Sequence, residues 1–148
     1  MKVTLLGTGG PRPDPKRMGS STLISVNGEN LIVDAGRGAT TRLVQAGVPI
    51  TGYGYVFVTH LHFDHTAGLP DLLLSAWNMA RNKTIHVYGP RGTRAMVQRL
   101  FEAFERDIWY RLTETKLTTE EKRELEKSRK DVEEGKCTSL EDLLDELG

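Results

Sequence analysis

The sequence predicts a mixed α/β (α+β layered) fold. Three observations point there. Apolar runs of strand length alternate with longer stretches whose apolar residues recur at helical spacing. Glycine, proline and asparagine fall between these runs rather than inside them. The chain has 148 residues, 38% hydrophobic and 27% charged, the composition of one modest globular domain.

Each element follows in order. "KVTLL", residues 2–6, reads as a short buried strand. "GTGGPRPDPKRMG" after it is a loop by its glycine and proline content. "SSTLISV" and "NLIVDAG" flank "NGE" and form a hairpin, because Asn27 and Gly28 accept the positive φ of a tight turn. "RGATTRLVQAG" is a short helix stopped by Gly47. "YVFVT", residues 55–59, is an apolar strand that delivers His60 at its end. "LPDLLLSAWNMARN" is a helix with Leu72, Leu73, Ala76 and Met79 or Ala80 toward the core. "TIHVYG" is a further strand. "GTRAMVQRLFEAFERDIWYRL" reads as one amphipathic helix, with Met96, Val97, Leu100, Phe101, Phe104 and Ile108 on its apolar face.

The texture changes near Leu112, so two parts are expected, 1–111 and 112–148. The first carries 13 Lys and Arg against 8 Asp and Glu, and the second 7 against 12. A net charge of zero therefore hides a basic body and an acidic helical tail. A basic body suits an anionic substrate such as a phosphodiester or RNA; it also suits charge balance with the tail. In the tail, Thr118 and Glu121 form a capping box and Gly135 a stop. Ser139 then caps "SLEDLLDELG", which aligns Leu140, Leu143, Leu144 and Leu147 in an apolar stripe.

No apolar run approaches the ~18 residues of a membrane span, and "MKVTLLGTGG" is too short in its apolar part for a secretion signal. The expectation is a cytoplasmic protein without membrane contact. The single cysteine, Cys137, excludes an intrachain disulfide, fits a reducing compartment and has no histidine near it in sequence to activate it.

The chemistry is concentrated in "VTHLHFDHTAGL". His60, His62, Asp64 and His65 are four metal-ligand types within six positions. His60 and His62, two apart on extended backbone, turn their rings to one side. Asp64 and His65 follow a turn and reach a second position nearby. Imidazole suits zinc, and carboxylate suits zinc or manganese. A pair of such ions activates a water and stabilises a leaving oxygen in hydrolysis.

"THLHFDHTAGL" resembles the H-x-H-x-D-H signature of the metallo-β-lactamase superfamily. "LLGTGGPRPDPKRMGSSTLI", "LIVDAG" and "IHVYGPRGT" resemble its ribonuclease Z and arylsulfatase-like branch, so the resemblance spans roughly residues 2–111. It implies one half of an αββα sandwich, followed here by a short helical tail. It implies zinc-dependent hydrolysis of phosphodiesters, with His60 and His62 on one metal and Asp64 and His65 on the other. Asp64 would also help deprotonate the attacking water, and Asp34, in the "D-x-G" position, would support the metal loop without ligating. Manganese is the alternative metal.

That family completes its site with a third histidine, a bridging aspartate and a last histidine from the second half of the sandwich. The only other histidine here is His86, in a strand ahead of those positions, so the four ligands are expected to form a half-site. An uncovered sheet face then favours a homodimer or a complementing polypeptide. The alternative is a catalytically silent truncated domain that binds a partner, or a gene fragment. The tail "LEKSRKDVEEGKCTSLEDLLDELG" resembles the C-terminal helical segments of type II antitoxins, which implies a partner-binding helix pair.

Weaker candidates remain. "GTGG" lacks the Gly-Lys-Ser/Thr of a P-loop. Lys16 and Arg17 are either solvated loop charges or phosphate contacts. Trp77, Trp109 and Tyr110 can stack bases, but their helical spacing favours core packing or a surface position. No particular substrate-binding residue is expected from the sequence.

Overall fold

The structure, a computed structural model, describes residues 1–114 and Arg123. Cys137, the capping box at Thr118 and Glu121 and the leucine stripe from Leu140 to Leu147 lie outside the described residues. The chain divides into two units, Met1–Ala103 and Phe104–Gly148. The first unit holds β1 (Lys2–Gly7), β2 (Ser21–Val26), β3 (Glu29–Val33), α1 (Ala39–Gln45), β4 (Tyr55–Phe57), α2 (Phe63–Thr66), α3 (Leu69–Asn78), β5 (His86–Tyr88) and α4 (Thr93–Ala103). The second unit holds α5 (Glu105–Glu114).

The five strands form one sheet in sequence order. β1, β2 and β3 are an antiparallel meander, and β4 and β5 add in parallel. The hairpin turn is the expected one. Asn27 and Gly28 take φ of 51° and 84°, the pair of positive values that a two-residue turn between twisted strands requires. Gly47 likewise has φ of 83° just after α1, where an alanine would be strained.

Alternation across the pleat sorts the side chains into two faces. One cross-strand row reads Thr4, Leu23, Ile32, Val56 and Val87. Leu23, Ile32 and Val56 are buried there against Leu43 of α1 and Leu69, Leu72, Leu73 and Ala76 of α3, with Met96, Val97 and Leu100 of α4 packed alongside. Each such side chain contributes roughly 1.5–3 kcal/mol of transfer free energy. The opposite rows read Val3, Ile24, Leu31, Tyr55, His86 and Leu5, Thr22, Val33, Phe57, Tyr88. Val3 and Leu5 are 55% and 66% exposed on that side, and Phe57 and Tyr88 are exposed too. Helices thus cover one side of the sheet, which is the half-sandwich expected.

Four expectations need correction. β1 is not a buried strand: as the edge strand it buries Leu6 and leaves Val3 and Leu5 outside. β4 ends at Phe57, not at residue 59, because the Thr59 N–H donates to the Asp34 side chain at 2.8 Å instead of to a strand. α3 ends at Asn78, and Met79 and Ala80 are exposed rather than in the core. Ala80 takes φ of 53° there, and Arg81 beyond it ties the turn down by donating to the carbonyls of Thr51, Lys83 and Thr84. The helix expected over residues 92–112 is two helices, interrupted at Phe104. Its apolar stripe has already left the core at Phe101, which is exposed.

Candidate metal centre

The histidines lie just past the C-terminal end of β4, where parallel strands feed loops to one end of the sheet. Three backbone bonds hold the segment against the end of β3. Asp34 N–H donates to Phe57 O at 2.8 Å, Ala35 N–H to His65 O at 2.8 Å and Gly68 N–H to Ala35 O at 2.8 Å. Glycine makes this approach feasible. A Cβ on Gly36 would lie 2.5 Å from Asp64 O and 2.6 Å from Ser20 N, and one on Gly68 2.2 Å from Gly36 O. The "D-x-G" of β3 and the glycine after the histidines are therefore two halves of one backbone contact.

His60, His62 and His65 cluster. The ring of His60 is 4.0 Å from that of His65 and 4.6 Å from that of His62. His62 sits at the N-cap of α2 in extended conformation, and its carbonyl accepts from His65 N–H and Thr66 Oγ1–H at 3.0 and 3.1 Å. α2 then carries Asp64 and His65, with Asp64 Oδ2 3.7 Å from His65 Nε2. Asp64 is buried and His65 half-buried. The four side chains occupy one place in the fold.

Asp34 organises the cluster. Its carboxylate accepts from Thr59 N–H at 2.8 Å and from Thr59 Oγ1–H at 2.9 Å, and it meets His65 Nδ1 at 2.7 Å. An ionised carboxylate only accepts, so His65 carries its proton on Nδ1 and keeps the lone pair on Nε2. Thr59 has one hydroxyl proton, and it goes to Asp34. The contact of 3.0 Å between Thr59 Oγ1 and His60 Nδ1 then needs a proton from His60 Nδ1, which leaves His60 Nε2 free as well. One buried aspartate thereby sets the tautomer of two histidines, as the carboxylates behind metal-binding histidines do. Asp34 takes φ of 61° to do so, a conformation unusual for a residue with a Cβ and tolerated best by Asp and Asn.

These donors fit zinc in chemistry and tautomer. They do not close around a single point: among the described residues, no three His, Cys, Asp or Glu side chains are arranged to hold one ion. Thr59, which links Asp34 to His60, escaped sequence reasoning; a threonine next to the first histidine was the available signal. Arg37 escaped too. Its guanidinium donates to the carbonyls of Gly10 and Pro11 and lies over the Phe63 ring at 5.9 Å, so it fastens the "GTGG" loop beside α2.

His86 is half-buried on β5, stacked on Tyr55 at 5.5 Å. Trp77 is exposed on α3. Trp109 and Tyr110 are exposed on α5, in edge-to-face contact with each other.

Comparison with known proteins agrees with this fold. The family model described as anti-Pycsar protein Apyc1 matches residues 1–129. A ribonuclease Z of Mycobacterium marinum is 45% identical over 115 residues, which is 76% of this chain and 41% of that protein. One from Mycobacterium bovis is 43% identical over the same length. Among solved structures, the short form of human tRNase Z superposes with a TM-score of 0.65 at 36% identity, covering 71% of this chain and 40% of that one. The metallo-β-lactamase-fold protein YhfI from Bacillus subtilis gives 0.58 at 27%, covering 66% and 39%. The chain thus spans about two fifths of the length of the curated relatives it matches. It belongs to the family of the anti-Pycsar protein Apyc1, with the sequence and fold of the ribonuclease Z-like part of the metallo-β-lactamase superfamily.

Proposed function

We propose that this chain is the ligand-bearing half of a zinc-dependent phosphodiester hydrolase of ribonuclease Z type, and that another polypeptide segment completes its site. The observation that carries the reading is the engagement of Nδ1 on His60 and His65 by Thr59 and Asp34, which leaves Nε2 of both rings as the donor, beside His62 and Asp64. His60 and His62 would hold one zinc ion, and Asp64 and His65 a second; manganese is the alternative. Zinc bound there supplies a Lewis acid next to the scissile phosphate. The chain's own residues do the rest. Asp34 keeps His65 from rotating, Asp64 takes a proton from the attacking water, and the basic body draws an anionic strand such as RNA. The protein would work in the cytoplasm.

A second reading rests on the chain spanning about two fifths of the length of the relatives it matches. A domain that holds at most one ion loosely turns over poorly, and it would then serve as a catalytically silent module that binds a partner. The open sheet face would recruit a second copy or a complementing polypeptide. The tail, 112–148, would add a helical contact through Leu140, Leu143, Leu144 and Leu147.

Hydrolysis of bis(p-nitrophenyl) phosphate with added zinc separates the two. The expected result is little turnover by the chain alone and metal-dependent turnover, lost in Asp64→Ala, once the remaining length of a ribonuclease Z is supplied in trans. Failure of every complementing segment to restore activity would favour the silent module.

A further inference from the structure

Helix α2 inverts the usual order of burial. It buries Asp64 and Thr66, while Phe63 beside them is 58% exposed. A single exposed aromatic is ordinary on a protein surface, but this one stands between two candidate ligands, His62 and Asp64. The helix cannot roll to hide the ring. A Cβ on Gly36 would lie 2.5 Å from Asp64 O, and His65 O accepts from Ala35 N–H at 2.8 Å, so the backbone of α2 is pressed against the end of β3. An inversion of this kind is expected where function overrides packing. We infer that Phe63 is a stacking platform for a nucleobase of a strand whose phosphate lies at the histidine loop. The inference rests on the phosphodiester reading of that loop.

Two features of the ring point to this ligand. The ring is held: the Arg37 guanidinium lies over it, 5.9 Å from the centroid, and Arg37 is itself fixed by donating to the carbonyls of Gly10 and Pro11. A ring already fixed on one side loses little freedom when a flat partner settles on it. The cation also keeps its charge. Its partners are neutral carbonyls and a ring, and the ion pairs among the described residues do not include Arg37. A nucleic-acid strand supplies both complements at once, a π-face for the phenyl ring and an anionic backbone for the guanidinium.

Leu61, the other apolar side chain exposed in the loop, offers no such surface. It is 37% exposed, and its Cδ1 lies 3.1 Å from the Cβ position of Gly92, so it packs toward the loop after β5. Stacking tolerates any base, because every base has a π-face. Phe63 therefore favours a strand over an isolated phosphodiester, without choosing one base over another.

The test uses the full chain with zinc and a 2′-O-methyl pentanucleotide, which resists cleavage, beside the same strand made abasic at every position. Both are titrated and followed by proton chemical shifts. The expected result is affinity for the base-bearing strand at least about fivefold tighter than for the abasic one, the lower end of one stacking contact. The Phe63 ring protons should move upfield with the base-bearing strand alone. Phe63→Ala should bring the two strands to equal affinity, and Phe63→Trp should keep them apart. Equal affinities in the unchanged chain, or an advantage that persists in Phe63→Ala, would overturn the platform and leave the phosphodiester reading standing. Failure of both strands to bind would overturn that reading and the platform with it. Equal affinities together with lost co-purification of a complementing ribonuclease Z segment in Phe63→Ala would overturn the platform by assigning the ring to a protein contact.

Discussion

Asp34 and His65 meet through Oδ2 and Nδ1 at 2.7 Å, and this contact joins the end of β3 to the loop after β4. The same carboxylate takes two bonds from Thr59. Asp34→Asn tests it with little disturbance, because asparagine tolerates the positive φ as well as aspartate. One oxygen becomes a donor, and either His65 or Thr59 loses its acceptor. The expected cost is about 1–3 kcal/mol in denaturant unfolding, with zinc affinity reduced 10–100-fold. An unchanged affinity would show that Asp34 does not orient the histidines.

Backbone contact at Gly36 is the second relationship to test. In Gly36→Ala the new methyl would meet Asp64 O at 2.5 Å and Gly19 C at 2.6 Å, both main-chain atoms with nowhere to move. A loss of about 3 kcal/mol or more is expected. Gly10→Ala is the control: nothing lies within 4 Å of its Cβ position, so its effect should stay within about 0.5 kcal/mol. Equal melting temperatures for the two would contradict the close approach.

Tyr53 gives a pH dependence. Burial holds its phenol well above the usual range, only partly offset by Arg81, and its O–H donates to Leu72 O at 2.9 Å. A phenol whose pKa is higher folded than unfolded contributes stability that is present below the unfolded value of ~10 and is lost as pH rises above it. Tyr53→Phe should cost about 0.5–1.5 kcal/mol near neutrality and flatten the alkaline limb of a stability-against-pH profile. An unaltered alkaline limb would mean that another group governs it.

Much of this was legible in the sequence, and the reasons are specific. The hairpin at Asn27 and Gly28 was legible because its turn needs positive φ at two adjacent residues. The core of α3 at Leu72, Leu73 and Ala76 was legible because helical period alone decides it. That His60, His62, Asp64 and His65 lie near one another was legible because the first and the last are only five positions apart. What was not legible depends on contacts distant in sequence. The end of β4 at Phe57 is set by Asp34, 23 residues before it, and the end of α3 by the anchoring of Arg81 to Thr51. Val3 and Leu5 read as core because they are apolar; which face of an edge strand is covered depends on where the helices lie.

The open face makes the partner proposal testable. Val3→Glu and Leu5→Glu change side chains that are 55% and 66% exposed. Each should alter the chain's own stability by no more than about 0.5 kcal/mol. Together they should abolish association of the chain with a second copy or with a complementing segment, as read by light scattering and co-purification. Association that survives both would place the contact elsewhere.

The most direct test of the central claim is the zinc content of the full chain per polypeptide, measured after dialysis. The half-site account predicts at most one equivalent held firmly, lost in His60→Ala and in His62→Ala and kept in His86→Ala, whose ring stacks on Tyr55 away from the cluster. Two tightly bound equivalents in the monomer, or zinc retained in both His60→Ala and His62→Ala, would contradict it.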